Sequence, residues 1–392
     1  MSRVILHCDM NNFFASVEIL LDPSLADKCI AVCGNKEERR GIVLAKNDAA
    51  KKYGVVTAEP IWQAQKKCPS LVIVEPHYER YSYFSERAKD IYARFTDLIE
   101  PFGIDECWLD VTGSVRLFGN GEKIANEIRN SVRNELGLTV SVGVSFNKVF
   151  AKLGSDMKKP DAVTVINEND FKEKIFSLPA SDLIGVGKSA KENLHRIGVD
   201  TIGELAGLPY DTIVRRLGKH GSAIWHYANG LDNSTVAHVD YTAPAKSISR
   251  GTTTRYDLEN NEQVKKLIYE LSISVAYQLR KNKMLAGGVQ VSVRNDELII
   301  RDFQRALSFD TDNALVISNE AFQLFIDKYD WKSNVHSLTV RVINLVDDGM
   351  PVQLNMFFDD EASFKTRLID KTVDKINEKY GKYSIKPLVL LD

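Results

Sequence analysis

Gly103-Ile104-Asp105-Glu106-Cys107-Trp108-Leu109-Asp110 is a β-prone stretch that carries two adjacent carboxylates near its start. Far upstream, Val4-Ile5-Leu6-His7-Cys8-Asp9 is an apolar strand that ends on a third. A lone Asp-Glu pair is ordinarily a solvated turn. Here the pair sits among apolar residues, where two neighbouring charges are costly unless something compensates them. Carboxylates gathered from two strand ends suit a pair of hard divalent cations. Such ions take oxygen ligands and help exchange one phosphate oxygen for another. Asp110, two residues beyond Trp108, is a candidate supporting carboxylate.

Working outward, the first 165 residues alternate strand and helix signals, which predicts an α/β (α+β) chain. Strands are expected at Arg3–Cys8, Ile30–Cys33 and Gly41–Ala45, with helices at Asn12–Leu21 and Asn47–Tyr53. A long helix is expected from Glu79 to Ile99, stopped before Pro101. Thr139–Ser145 alternates in the manner of a half-buried strand, and a Lys-rich segment runs from Asn147 to Lys159. Ile184-Gly185-Val186-Gly187 reads as a glycine turn between helices, followed by helices at Lys188–Ile197 and Thr201–Leu208. That is either a helix-hairpin-helix phosphate site or a plain αα-hairpin. A polar, aperiodic stretch at 235–244 reads as a linker. Beyond it come strands at 246–255, 286–294, 297–305 and 337–344, helices at 260–282 and 313–328, and a last helix at Phe364–Tyr380.

At 392 residues the chain has room for two to four domains. Its 44% hydrophobic and 27% charged content is ordinary for a soluble globular protein. No apolar run is long enough to span a bilayer, so no membrane partner is expected. The cysteines, Cys8, Cys29, Cys33, Cys68 and Cys107, are odd in number and sparse, which fits a reducing cytoplasm rather than a disulfide framework. Cys29 and Cys33 lack a second ligand pair, so zinc is not expected. The net charge of −2 argues weakly against a nucleic-acid binder, and any grip on DNA must come from local clustering.

Three ordered motifs change that balance. Asp9-Met10-Asn11-Asn12-Phe13-Phe14-Ala15-Ser16-Val17-Glu18, then Gly103 through Thr112, then Asn147-Lys148-Val149-Phe150-Ala151-Lys152, together resemble the Y-family DNA polymerases, most closely the bacterial DNA polymerase IV type. The resemblance covers about residues 3–345. It implies a multidomain right-hand polymerase. The ferredoxin-like palm would be 1–15 and 75–165, the small fingers 16–74, and the helical thumb with its helix-hairpin-helix 166–234. An α/β little finger would follow the linker at 245–345, and 346–392 would be a C-terminal tail. The implied activity is template-directed, low-fidelity translesion synthesis from dNTPs on primer-template DNA, by a monomer without a proofreading exonuclease.

Carried over by position, Asp9, Asp105 and Glu106 are the catalytic carboxylates. With the Met10 backbone carbonyl they would hold two Mg²⁺ ions, which Mn²⁺ could replace. Phe14 matches the sugar-gate aromatic that excludes a 2′-hydroxyl. Phe13, Phe14, Lys51 and Lys159 form the implied nucleotide-binding set. The fingers depart from the usual pattern. Ala45-Lys46-Asn47-Asp48-Ala49-Ala50-Lys51 has Asp48 where a tyrosine is common and Lys51 where an arginine is common, so charge is kept but the planar fork is lost. Asp48 is expected either to point away, paired with Lys46 or Lys52, or to mark a different triphosphate grip. The implied DNA contacts are Gly185, Gly187 and Lys188, with Ser247, Ser249, Arg250, Thr252 and Arg255 on a strand that mixes hydroxyl and basic side chains. In the tail, Gln353, Leu354, Met356 and Phe357 resemble a sliding-clamp peptide. Two rivals remain from the residues alone: a palm-type nucleotidyl cyclase, and a DNA-binding module with vestigial acids.

Overall fold

The computed structural model describes residues 2–35, 41–349, 360–381 and 384–390. Gln353, Leu354, Met356 and Phe357 lie outside the described residues. Among the described residues, those up to Gly34 with Gly41–Thr242 form one compact body, and Asn35 with those from Ala243 onward form a second.

In the first body, β1 (Ile5–Met10) leads into α1 (Phe13–Leu21). A small unit follows, built from β2 (Ile30–Cys33), β3 (Val43–Lys46), α2 (Asp48–Lys52), α3 (Ile61–Lys67) and β4 (Val72–Val74). Its three strands pair in the order β3-β2-β4 over a core of Ala31, Val43, Val55, Ile61 and Leu71. The chain returns through α4 (Tyr78–Tyr92), β5 (Ile99–Pro101), β6 (Glu106–Asp110), α5 (Val115–Phe118), α6 (Gly121–Leu136), β7 (Val140–Ser145), α7 (Lys148–Met157) and β8 (Val163–Ile166). The main sheet has the order β5-β6-β1-β7-β8, with β1 antiparallel to both β6 and β7.

Alternation along β1 assigns its two faces. Leu6, Cys8 and Met10 join the core beneath α4 and α6, with Ala88, Ile91, Ile124 and Ile128. Ile5 packs with Trp108 and Ala151, on the side that α7 covers. Both faces are therefore buried, and β7 is buried at every residue rather than half-buried as its alternation predicts. Its serines are satisfied inside: Ser141 Oγ accepts from Asn11 Nδ2 at 2.9 Å, and Ser145 Oγ donates to the Ile166 carbonyl at 2.9 Å.

The helix expected over Glu79–Ile99 ends at Tyr92, and Ile99–Pro101 is instead an edge strand on β6. Thr96 explains the break. Its hydroxyl donates to the Asp110 carbonyl at 2.7 Å and accepts from the Leu98 amide at 3.1 Å, which turns the chain onto the sheet. Pro101 has no N–H to offer and is tolerated because the strand is an edge.

Helices fill the rest of this body: α8 (Phe171–Ile175), α9 (Lys188–His195), α10 (Ile202–Gly207) and α11 (Tyr210–Ala228). Thr201 and Glu204 form a reciprocal cap on α10. The stretch read as a linker begins tied down. The Ala237 amide donates to Glu100 Oε2 at 3.0 Å, and the Val239 amide donates to the Asp97 carbonyl at 2.9 Å.

The second body is a four-stranded antiparallel sheet of β9 (Ser247–Leu258), β10 (Met284–Asn295), β11 (Ile300–Thr311) and β12 (Val335–Asp347), in the order β11-β10-β12-β9. Two helices, α12 (Asn261–Lys281) and α13 (Ala314–Lys328), bury one face through Val264, Ile268, Val275, Ile317 and Phe325 against Val289, Val291, Val340 and Val342. The strands run longer than the sequence suggests because turn residues and bulges continue the ladder at both ends. A last helix, α14 (Asp360–Tyr380), is tied to α12 through Arg280, whose guanidinium meets Asp374 at 2.6 Å and Asp370 at 3.3 Å.

Candidate active site

Asp9 and Glu106 are register partners on neighbouring antiparallel strands. Directly opposed residues share a face, so both carboxylates leave the sheet on the side of α7. Asp105 precedes the first paired residue, and its carbonyl accepts from the Met10 amide at 3.1 Å. The three carboxylates quoted from two distant stretches are thus brought to one corner of the sheet. Met10 closes β1 with its side chain in the core.

Helix α7 brings the cations. Asn147 caps it by accepting from the Phe150 amide at 2.8 Å. Gly143 and Gly154 let it press against β7: a Cβ on Gly143 would come within 1.9 Å of the Ala151 carbonyl oxygen. This close approach sets Lys152 Nζ 2.5 Å from Glu106 Oε2. The chain beyond α7 sets Lys159 Nζ 2.7 Å from Asp9 Oδ2 and 2.8 Å from Asp156 Oδ1. Behind them, buried His7 has Nε2 3.4 Å from Glu106 Oε2 and Nδ1 2.8 Å from Ser155 Oγ. Ser155 Oγ also donates to the Lys152 carbonyl at 2.7 Å.

The carboxylates differ in electrostatic state. Burial is the largest influence on Asp9 and lifts it to about 6 against the opposing pull of Lys159. Burial and then the Glu106 charge also raise Asp105. Burial acts on Glu106 in the same sense, but hydrogen bonds from His7 and Lys152 more than offset it and leave the group at about 2. Oxygen donors at one corner, two of them raised above their ordinary range by burial, have the chemistry that a hard dication satisfies. Among the described residues no three such groups form a closed metal cage, because Asp9 and Glu106 each turn to an ammonium instead.

The remaining expected residues fall into place unequally. Phe13 is 3% exposed and belongs to the core, so of the adjacent pair only Phe14 keeps an open edge. The Phe14 ring stacks on Tyr81 with centroids 4.0 Å apart. Lys51 is exposed on α2, and Asp48 is exposed in the first turn of the same helix. Lys46 does not pair with Asp48; its ammonium donates to Thr57 Oγ1 at 2.8 Å. Asp110 turns away to accept from the Thr112 amide at 2.9 Å. Gly185 has φ near +92°, and Gly187 opens α9 with no side-chain cap for the first helical amides, beside exposed Lys188.

The expected contacts on β9 split between two faces. Ser247 and Ser249 oppose Ile343 and Arg341, whereas Arg250 and Thr252 oppose buried Val340 and Leu338 and so lie on the helix-covered side. Arg255 lies where the β9 register shifts, its guanidinium 5.8 Å from the Tyr256 ring centre. Strand alternation forbids one face from holding all five. The open face carries other residues. Ser249, Arg341, Gln290 and Gln304 form a continuous polar row across the sheet, and Thr253, Ser337 and Arg294 form another.

Sequence reasoning did not single out Lys152, Ser155 or His7 as site residues, nor Tyr81 or the row through Arg341. The i, i+4 spacing of Lys148, Lys152 and Asp156 was the available signal for the first group. The others depend on which elements pack together.

Residues 8–156 match the model of the impB/mucB/samB family, and 245–356 match the model of that family's C-terminal domain. A DNA polymerase IV of Acetivibrio thermocellus is 51% identical over 391 residues, covering 100% of this chain and 98% of the relative. A DNA polymerase IV 1 of Bacillus subtilis is 34% identical, covering 97% of this chain and 91% of the relative. In fold, the chain matches a solved Y-family DNA polymerase chimera, Dbh-Dpo4(243-245)-Dbh, with a TM-score of 0.78 at 24% identity, over 88% of this chain and 99% of that one.

Proposed function

The chain belongs to the Y family of DNA polymerases, as a translesion DNA-directed DNA polymerase of the DNA polymerase IV type, and we propose that its chemistry is run from the corner formed by Asp9, Asp105 and Glu106. The observation that carries this reading is the register pairing of Asp9 with Glu106 on a buried sheet, beside Asp105. These three carboxylates, with the Met10 carbonyl, would hold two Mg²⁺ ions. When bound, such ions lower the charge on the triphosphate, activate the primer 3′-oxygen and stabilise the departing pyrophosphate.

The protein's own groups prepare that site. Lys152 and His7 keep Glu106 ionised, so it offers a ready oxygen donor. Lys159 holds Asp9 in place and is the ammonium best sited for the triphosphate; Lys51 adds charge from α2. The Phe14 ring, backed by Tyr81, excludes a 2′-hydroxyl. On the DNA side, the uncapped amides at the start of α9 suit one backbone phosphate. The polar row of Ser249, Arg341, Gln290 and Gln304 suits the duplex backbone without reading bases. The segment 353–357 would dock a sliding clamp, and the chain would act as a monomer lacking a proofreading exonuclease.

Primer extension with Mg²⁺ on intact and abasic templates tests the reading. Asp105→Asn is expected to abolish extension while primer-template binding persists. An Asp105→Asn enzyme with parental activity would refute the site.

A further inference from the structure

Glu18 is a buried carboxylate that the chemistry above does not use. It lies on α1, 3% exposed, four residues after Phe14, so one helical turn places both side chains on the same face. Against that face α4 presents Tyr81, which is fully buried and engages both. Its ring lies within 10° of parallel to Phe14, and its hydroxyl donates a short hydrogen bond to Glu18 Oε1. The His77 amide donates to the same phenol oxygen at 3.1 Å, and His77 Nδ1 lies 3.0 Å from Glu18 Oε2. The phenol therefore gives one hydrogen bond and receives one, which pins the ring against sliding. Burial, followed by the bond to Glu18, pushes the Tyr81 phenol above its ordinary range and keeps it a donor. Tyr78 closes the cluster edge-on to Phe14, with centroids 6.1 Å apart.

We propose that Glu18 is a positioning residue for deoxynucleotide selection: through Tyr81 it fixes the Phe14 ring at the height where a 2′-hydroxyl collides with it. The proposal rests on the reading of Phe14 as the sugar gate. A carboxylate is kept inside a core only where partners repay its lost hydration. Here the partners lead directly to the ring that contacts the sugar. Without the anchor, the ring is free to yield to a ribose.

The test uses the full chain in single-nucleotide incorporation with Mg²⁺, comparing kcat and KM for a dNTP and its rNTP. The variants are Phe14→Ala, Tyr81→Phe, Glu18→Ala and Glu18→Gln. Tyr81→Phe and Glu18→Ala are expected to raise ribonucleotide efficiency relative to deoxynucleotide by about tenfold, chiefly through rNTP KM. Glu18→Gln keeps an oxygen acceptor for the phenol and should restore most of the selectivity. A purely structural Glu18 would lower the melting temperature and both efficiencies together without moving their ratio. If Glu18→Ala does not fold, Tyr81→Phe decides alone, since it removes one hydroxyl and keeps the ring. An unchanged ratio in Tyr81→Phe, while Phe14→Ala admits ribonucleotides, overturns the proposal and leaves the gate standing. An unchanged ratio in Phe14→Ala removes the gate itself and the proposal with it.

Discussion

Asp9 is pulled two ways: burial opposes its charge, and Lys159, 2.7 Å away, favours it. Burial wins, and the group titrates at about 6 rather than 3.8. The sign of the linkage follows. A raised carboxyl favours the metal-free fold below its ordinary range, and that advantage drains away as pH climbs from 3.8 to about 6. Glu106, lowered from 4.5 to about 2, acts oppositely: its contribution is present above 4.5 and is lost as pH falls through 2. On the proposed reading, a divalent cation would displace a proton from Asp9 but not from Glu106 across the working range. Mg²⁺ or Mn²⁺ affinity is therefore expected to fall by about tenfold from pH 7 to pH 5, with a slope near one proton. Titration of the tryptophan fluorescence with Mn²⁺ at several pH values checks this, since Trp108 edges onto His7 beside the corner. Affinity flat over that range would mean that Asp9 is not a ligand.

Elements, more than single residues, decide whether the corner exists. Helix α7 reaches the sheet only because Gly143 and Gly154 meet backbone to backbone. Gly143→Ala has no flexible side chain to push aside, only the Ala151 carbonyl and the Ser155 amide. It should cost about 3 kcal/mol, the upper range for overpacking, and lift Lys152 from Glu106. Urea unfolding reads the first effect, and primer extension reads the second. Helix α14 makes the complementary case, since ionic contacts anchor it. Arg280, 6% exposed, satisfies Asp374 through two nitrogens and the Asp312 carbonyl through a third. Breaking a buried pair leaves an uncompensated charge, so Arg280→Ala should loosen α14 by about 3 kcal/mol. Hydrogen exchange over 367–380 should accelerate while α13 stays protected. The sequence disclosed the carboxylates, Phe14 and most element types, because each is a local pattern of period or spacing. It misjudged the end of α4 because Thr96 satisfies backbone groups on β6, a partner no local window contains. It mixed the two faces of β9 because hydroxyl and basic residues were grouped by type, whereas a strand sorts them by parity.

At the scale of the molecule, a chain of net charge −2 must hold a polyanion. Overall charge supplies no attraction, so affinity has to come from a few cations displayed without competing acids. One row across the open face of the second body does this. Arg341 stands exposed in a row whose other members, Ser249, Gln290 and Gln304, are all neutral. The helix-covered side spends its arginines differently: Arg280 on Asp370 and Asp374, Arg305 on Asp327. A phosphate contact releases counterions and is blind to sequence. Arg341→Ala should accordingly weaken primer-template binding to a similar degree on every template and reduce the slope of log affinity against log salt by about one. Arg250→Ala, on the other parity of β9, should leave that slope unchanged. Anisotropy titrations of one duplex over a range of NaCl concentrations distinguish the two. An equal loss of slope in both variants would place DNA along the β9 edge rather than across the open face, and the polar row would then be only a solvated surface.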